Sequence, residues 1–477
     1  MITLKILAFL AIIPVWYPLN KILCRRDLNA FDLLTVFSSL YYCIIPITSS
    51  SSDYELTYFI EDVGLQFDVY FFYSVYAYTL LILNIIWSNS TYSKIPNLIN
   101  LTLFIRAFSR TIQIPHSALL LFSIFLVIGW IDYGLTLKAT AATINLSYND
   151  FREASQQNVS YESGIFKSIF KSFFQFINTL FFFYLLIKWK EAGKLLKSEY
   201  FLLAGYILLS FLGSRTRALG DLLFLAIVYY SFFKLTFSWG KVIVGCCVLL
   251  VIISVVFPVV NIYRSGVRHY GSELEQKSLF ENLSLMIEYV DSQYDAANST
   301  AADAVGSRST AVIQSLVRAF QPNVDAEYGS LTASAISISI PRFIYPEKSL
   351  TGSQILIERK LGVSTDTADT ILMFSKVEWG YYGALICLLM YWILFKVWDV
   401  ITAFFTINFR CPIIALYGLV SVFSLSQYIE ISMDKCIANI FQAPIAMIVI
   451  CIFIRVWDAI VRALSIKNRF RLSTSNQ

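Results

Sequence analysis

Stretches of about 20 mostly apolar residues, the length that crosses the hydrocarbon core of a bilayer, recur along the whole chain. Examples are ALLLFSIFLVIGWI, which begins at Ala118, and VIVGCCVLLVIISVVFPVV, which begins at Val242. The 477 residues are 57% hydrophobic and 14% charged, whereas soluble proteins carry about 25% charged residues. Because a bilayer offers no hydrogen bonds to an exposed backbone, such segments cross it as helices. The expected fold class is therefore an all-α polytopic membrane protein.

The spacing of the apolar segments predicts about eleven transmembrane helices, within a range of 10–12. The expected spans are residues 3–20, 31–48, 68–88, 115–135, 168–187, 198–213, 217–233, 242–262, 379–398, 411–427 and 438–455. The short loops on one side of these spans, together with the C-terminal tail, contain 19 lysines and arginines, and the opposite short loops contain 6. Since cytoplasmic loops are enriched in these residues, we expect a cytoplasmic C-terminus and an external N-terminus.

This topology divides the chain into four parts. They are a bundle of about eight spans at 1–263, a large hydrophilic loop at 264–377, three further spans at 378–457, and a basic cytoplasmic tail at 458–477. The large loop contains 10 basic and 13 acidic residues. Its aliphatic spacing, as in STAVIQSLVRAF, is typical of helices. We therefore expect the loop to be a folded, mostly helical lid on the outer face.

Signatures of soluble enzymes are missing from the sequence. No glycine-rich nucleotide loop, Walker loop, H-E-x-x-H or C-x-x-C motif occurs. The two histidines, His116 and His269, are too few for a clustered metal site. Asp366 and Asp369 have the chemistry to bind Mg²⁺, but such a pair on a surface loop is usually only solvated. Because the basic residues are scattered at segment ends, we expect no nucleic acid. With two histidines and none of these motifs, we also expect no metal and no cofactor.

Basic residues gather at the outer ends of the spans, against the topological bias. The candidate diphosphate-binding groups are Arg215, Arg217, Arg264, Arg268, Arg342 and Lys348. Ionisable groups at membrane depth are costly, and are therefore functional hypotheses by default. Guanidinium groups bind phosphate oxygens through paired hydrogen bonds. The alternative is that these side chains extend to lipid headgroups or pair with loop acids.

Three side chains are candidate general bases near these cations: Asp221, His269 and Glu378. A histidine titrates near neutral pH, which suits proton transfer, although a surface role for His269 is equally consistent with its loop position. Glu378 lies in KVEWGYYG, where a carboxylate also suits the N-terminus of a helix. In IPRFIYPEK, Pro341 and Pro346 favour extended backbone before them, so Arg342 is expected on a rigid, non-helical stretch.

The chain resembles the Wzy-type O-antigen and oligosaccharide repeat-unit polymerases. The resemblance rests on SRTRALGD at 214–221, on IPRFIYPEKSLTGS at 340–353, and on many spans with one large outer loop. It implies a multi-pass enzyme of the bacterial inner membrane, related to the C-type glycosyltransferases, with a periplasmic loop. It also implies that Arg215, Arg217 and Arg342 bind substrate.

The activity implied by the resemblance is polymerisation of undecaprenyl-diphosphate-linked oligosaccharides into an O-antigen or capsule-type polysaccharide. The growing chain passes from its lipid diphosphate to a sugar hydroxyl of the next unit, without a nucleotide sugar or an obligatory metal. Further partners suggested by the family are a chain-length regulator and a flippase. The alternatives are an O-antigen ligase, which uses a lipid A core acceptor, and a flippase or other transporter of lipid-linked oligosaccharide.

Overall fold

The computed structural model describes ten longer stretches of the chain and a few short pieces between them. The longer stretches are residues 2–24, 26–48, 57–88, 118–143, 161–213, 312–322, 324–340, 370–408, 414–427 and 444–456. Within these described residues every regular element is helical, which confirms the expectation of an all-helical protein.

The helices are numbered here in chain order. The first nine are α1 (Ile2–Ala11), α2 (Trp16–Leu23), α3 (Ala30–Ser39), α4 (Ile45–Thr48), α5 (Thr57–Glu61), α6 (Val63–Ser88), α7 (Ala118–Thr143), α8 (Tyr161–Ala192) and α9 (Lys197–Gly213). They are followed by α10 (312–318), α11 (Ser330–Ser339), α12 (Ile371–Trp379), α13 (Gly383–Asn408), α14 (Ile414–Gln427) and α15 (Pro444–Val456).

Among the described residues, three helical ranges are long and apolar enough to cross a membrane. They are Ile2–Leu23, Val63–Trp87 and Ile371–Asn408. Shorter apolar helices cover Ala30–Ile44, Leu119–Asp132, Ile414–Ser426 and Pro444–Val456. These helices give the protein the character of a helical membrane protein. The predicted spans 217–233 and 242–262 lie outside the described residues, and the total of eleven remains a prediction.

A buried polar cluster joins the first helices of the bundle. The ammonium of Lys21 lies 2.9 Å from Asp32 Oδ2 and donates to Asn84 Oδ1 at 3.2 Å. Asn84 donates to the other Asp32 oxygen at 2.7 Å. Asn29 and Asp32 form a reciprocal capping box at the start of α3. Both charges are buried, so each requires these partners to offset the loss of water.

The middle of the second apolar helix is wound more loosely than an α-helix. Residues Leu40–Ile44 form a π-helical turn between α3 and α4. Tyr42 on this turn donates a hydrogen bond to Thr370 Oγ1 at 2.8 Å, and its carbonyl accepts one from Tyr70 at 3.0 Å. The Tyr42 and Tyr73 rings are also in contact, with centroids 4.9 Å apart and planes tilted by 36°. The turn therefore presents Tyr42 to the N-terminus of α12, far along the chain.

The range Ile371–Asn408 consists of two helices that fold back on each other. A 3₁₀ turn at Gly380–Tyr382 separates α12 from α13, and Gly380 has φ +59°. A Cβ added at Gly383 would lie only 2.1 Å from the Ser375 carbonyl oxygen, so the two backbones touch. Since α12 has nine residues, it runs beside α13 for about 14 Å. Helix α12 thus begins inside the stretch predicted as the large loop, and it is buried against the bundle.

Candidate functional site

Of the candidate site residues, the structure describes Glu378. The other eight, Arg215, Arg217, Asp221, Arg264, Arg268, His269, Arg342 and Lys348, lie outside the described residues, and their roles remain predictions. Glu378 lies near the C-terminal end of α12, beside the turn to α13. Here α10 and α11, which come from the stretch predicted as the large loop, pack against α12, and we call this end of the molecule the loop face.

The Glu378 carboxylate caps the N-terminus of another helix. The side chain is fully buried, and its Oε1 accepts a hydrogen bond from the backbone N–H of Thr332 at 3.0 Å. The backbone N–H groups of Gly329 and Leu331 also face it. Gly329, the N-cap residue of α11, supplies no side-chain cap of its own. The N-terminus of a helix attracts a negative charge, so Glu378 holds α11 onto the bundle.

Lys376, two residues earlier, contacts the C-terminal end of a helix, whereas Glu378 contacts an N-terminus. Its ammonium donates to the carbonyl oxygen of Ala319, at the C-terminal end of α10, at 3.2 Å. It also lies over the rings of Phe320 at 4.3 Å and Tyr381 at 5.2 Å. A cation stabilises a helix C-terminus and the face of an aromatic ring. We call Lys376 and Glu378, with their partners Ala319 and Thr332, the α12 clamp.

Backbone hydrogen bonds also join the end of α12 to the segment just before α11. Glu327 N–H donates to the Val377 carbonyl at 3.2 Å, and Tyr328 N–H donates to the Glu378 carbonyl at 2.8 Å. The Glu327 side chain is held by Lys360 and by the hydroxyl of Ser330. Hydrogen bonds from these two groups lower the pKa of the Glu327 carboxyl, so it is ionised at neutral pH. The connection between α10 and α11 is therefore fixed at several points.

The clamp anchors the helix that precedes Pro341 in the chain. Helix α11 ends at Ser339, and Ile340 has extended backbone, with φ −68° and ψ 129°. This agrees with the conformation expected for a residue before proline. Because Glu378 holds the start of α11, the segment that begins at Pro341 leaves a helix anchored on the bundle.

Lys376 and the partner of Glu378 were not predicted from the sequence. Both charges stand in ILMFSKVEW, where Ile371 to Val377 and Glu378 are all buried. Two charges in an otherwise apolar helix indicate buried partners, and this signal was available in the sequence. The identity of those partners, Ala319 and Thr332, depends on contacts between segments some fifty residues apart.

Comparisons with protein-family models, with curated proteins and with solved structures find no match for this chain. In the part of the chain that the structure describes, no cluster of three or more His, Cys, Asp or Glu side chains is arranged to hold a metal ion.

Proposed function

We propose that this chain polymerises undecaprenyl-diphosphate-linked oligosaccharides at the periplasmic side of a bacterial inner membrane. In this proposal it has about eleven spans, and the 264–377 loop covers the sugars. The observation that supports it most is the α12 clamp. A loop fastened to the bundle by buried charges can hold a substrate group at a fixed distance from the spans, which a loose linker cannot do.

The proposed reaction transfers a growing glycan between lipid carriers. The bond between the anomeric carbon of the donor sugar and the diphosphate oxygen breaks, and undecaprenyl diphosphate leaves with the electron pair. A hydroxyl oxygen of the acceptor unit bonds to the anomeric carbon, and its proton passes to a general base. Arg215, Arg217 and Arg342 stabilise the charge that grows on the diphosphate, and they do so best where water is excluded.

The structure bears on the choice of general base. Glu378 is buried and accepts a hydrogen bond from a backbone N–H, a geometry that favours the capping role over proton transfer. Asp221 and His269 are then the preferred candidates for accepting the acceptor hydroxyl proton. Substituting Asp221 with asparagine and His269 with glutamine separates them, because only the true base is required for polymer formation.

The polymerase proposal is tested by gel analysis of the surface polysaccharide in a deletion strain. Complementation with the unaltered chain should restore long polymers, whereas Arg215→Ala, Arg217→Ala and Arg342→Ala should leave only single repeat units at the surface. Arg26→Ala is a matched control, because Arg26 is exposed and lies in a predicted cytoplasmic loop. Long polymers in the deletion strain would refute the proposal.

A ligase shares the donor chemistry but not the acceptor. A ligase-deficient strain would accumulate lipid-linked polymer and attach none of it to the lipid A core, whereas a polymerase-deficient strain would still attach single units. The same gel, run on purified lipopolysaccharide and on the lipid-linked fraction, therefore separates the two enzymes.

A transporter of lipid-linked oligosaccharide is a second candidate, and the broken helices favour it. Transporters place interrupted helices at their substrate sites. This chain has a π-helical turn at Leu40–Ile44 and a fold-back at Gly380. A transporter defect would remove even single units from the surface. Loss of long chains alone would therefore exclude this candidate.

A further inference from the structure

Three tyrosines lie beside the α12 clamp on the loop face. The Tyr381 ring also packs under the Lys376 ammonium, whereas neither the clamp nor the proposed phosphate chemistry uses the side chains of Tyr328 and Tyr382. We propose that Tyr328, Tyr381 and Tyr382 form a stacking surface for the sugar rings of an uncharged oligosaccharide. This inference rests on the proposed function, because it assigns the sugar-binding part of the same face. The tyrosines named here lie outside the motifs that suggested the resemblance.

The side chains of these tyrosines are strongly exposed. Tyr328 and Tyr382 are 77% exposed and Tyr381 is 54% exposed. All three lie close to Glu378: Tyr328 through its backbone hydrogen bond, and the other two in the turn that follows α12. Three large amphipathic rings therefore project from one small region of the surface.

The backbone beneath these rings is held in place. Tyr328 has φ +45°, and among the described residues other than glycine no other has a positive φ. Bulky side chains rarely adopt this conformation, and such outliers persist only where surrounding contacts impose it. Here the Glu327 and Tyr328 N–H groups bond to the end of α12. A rigid aromatic surface loses little entropy when a ligand binds.

The surroundings favour a sugar over an anionic lipid headgroup. The Tyr381 hydroxyl interacts with the exposed carboxylate of Asp68, and Glu327 lies beside Tyr328. Each carboxylate is matched by a cation, Glu327 by Lys360 and Asp68 by Lys376, so the surface has no net charge to attract an anionic headgroup. The carboxylate oxygens can still accept hydrogen bonds from sugar hydroxyls. The C–H face of a pyranose ring is apolar and flat, so it packs on a tyrosine ring while the phenol hydroxyl bonds to its edge.

The proposal is tested by saturation-transfer NMR on the full chain in neutral phosphatidylcholine nanodiscs. The probe is the oligosaccharide repeat unit of the host strain, released by mild acid from its undecaprenyl diphosphate carrier. We expect transfer to the sugar C–H protons, and about tenfold weaker binding for Tyr328→Ala and for Tyr382→Ala. Tyr382→Phe keeps the ring and should retain most of the binding.

Tyr200→Ala is the matched control. Tyr200 is 53% exposed and lies at the start of α9, at the predicted cytoplasmic end of the span 198–213, so its loss should leave oligosaccharide binding unchanged. Undiminished binding in the Tyr328 and Tyr382 alanine variants would overturn the proposal, and would assign these rings to the lipid interface instead. Thermal unfolding of each variant checks that the fold is retained.

This experiment separates the failure of the stacking surface from the failure of the polymerase proposal. If sugar binding depends on the tyrosines but the deletion strain still makes long polymers, only the polymerase proposal is refuted. If binding does not depend on the tyrosines but the deletion strain lacks long polymers, only the stacking surface is refuted.

Discussion

At the scale of single residues, the described part of the molecule depends on buried charges that meet specific partners. Glu378 faces backbone N–H groups, Lys376 faces a carbonyl and two rings, and Lys21 pairs with Asp32. A buried charge without such partners is strongly unfavourable. Removal of one member of each set should therefore lower the stability of the fold around it.

Glu378→Ala should loosen α11 without unfolding the bundle. Loss of a capping carboxylate costs about 1 kcal/mol, with an upper end near 2 kcal/mol. We expect hydrogen exchange at the amides of Leu331 and Thr332 to become about five- to thirtyfold faster. Glu378→Gln keeps an acceptor oxygen and should show a smaller increase.

Glu61→Ala, at an exposed position at the end of α5, is the control for this measurement and should leave the exchange of α11 unchanged. Equal exchange rates in Glu378→Ala and in the unaltered chain would show that the carboxylate does not hold the helix.

Lys21→Met should destabilise the N-terminal helices more severely. It leaves Asp32 buried without its cation, and breaking a buried pair in this way costs about 3–5 kcal/mol. The expected result is a clear fall in Tm in detergent, with partial recovery in Lys21→Met/Asp32→Asn, which removes both charges. A Tm equal to that of Lys194→Met, at an exposed position, would contradict the role of the pair.

At the scale of elements, the fold-back of α12 on α13 depends on close backbone contact. Gly383→Ala places a Cβ 2.1 Å from the Ser375 carbonyl oxygen, so the two helices must separate. We expect a lower Tm and faster hydrogen exchange at Thr332, because the clamp sits at the end of α12. Gly64→Ala is the control, since its nearest neighbour is the Asp62 carboxylate of an exposed side chain. Unchanged exchange in Gly383→Ala would refute the fold-back.

The apolar helices were predictable because a span needs a long hydrophobic segment, which hydropathy detects directly. The predicted helix in STAVIQSLVRAF is confirmed by α10, since aliphatic spacing is a local signal. The fold-back at Gly380 was not predicted, because residues 371–377 were assigned to the hydrophilic loop and the span was expected to begin at 379. The burial of α12 depends on its contact with α13, which a local pattern does not report. The π-helical turn was likewise hidden, since it depends on Tyr42 meeting Thr370 from a distant part of the chain.

The candidate site was predictable in part. Residue type and position at span ends suggested Glu378, but its partner Thr332 belongs to another element. The exposed tyrosines of GYYG at 380–383 carry no periodic signal, and their exposure follows from the turn that separates α12 from α13.

At the scale of the whole molecule, the described helices form a membrane bundle with loop helices fastened to one end. Helix α13 contacts α6, α12 and α14, so the helix that carries the clamp stands against a central helix of the bundle. Displacement of the loop helices would therefore require loss of the buried contacts of Lys376 and Glu378. In the proposed enzyme, this rigidity keeps Tyr328, Tyr381 and Tyr382 at a fixed place on the bundle.

The most direct test of polymerase activity is reconstitution of the purified chain in vesicles with undecaprenyl-diphosphate-linked repeat units. We predict a ladder of products, each longer by one unit, with one undecaprenyl diphosphate released per bond and no nucleotide sugar required. Arg342→Ala should stop the ladder at single units. The account would be contradicted if vesicles with the folded chain and the lipid-linked repeat units yielded only single units and released no undecaprenyl diphosphate.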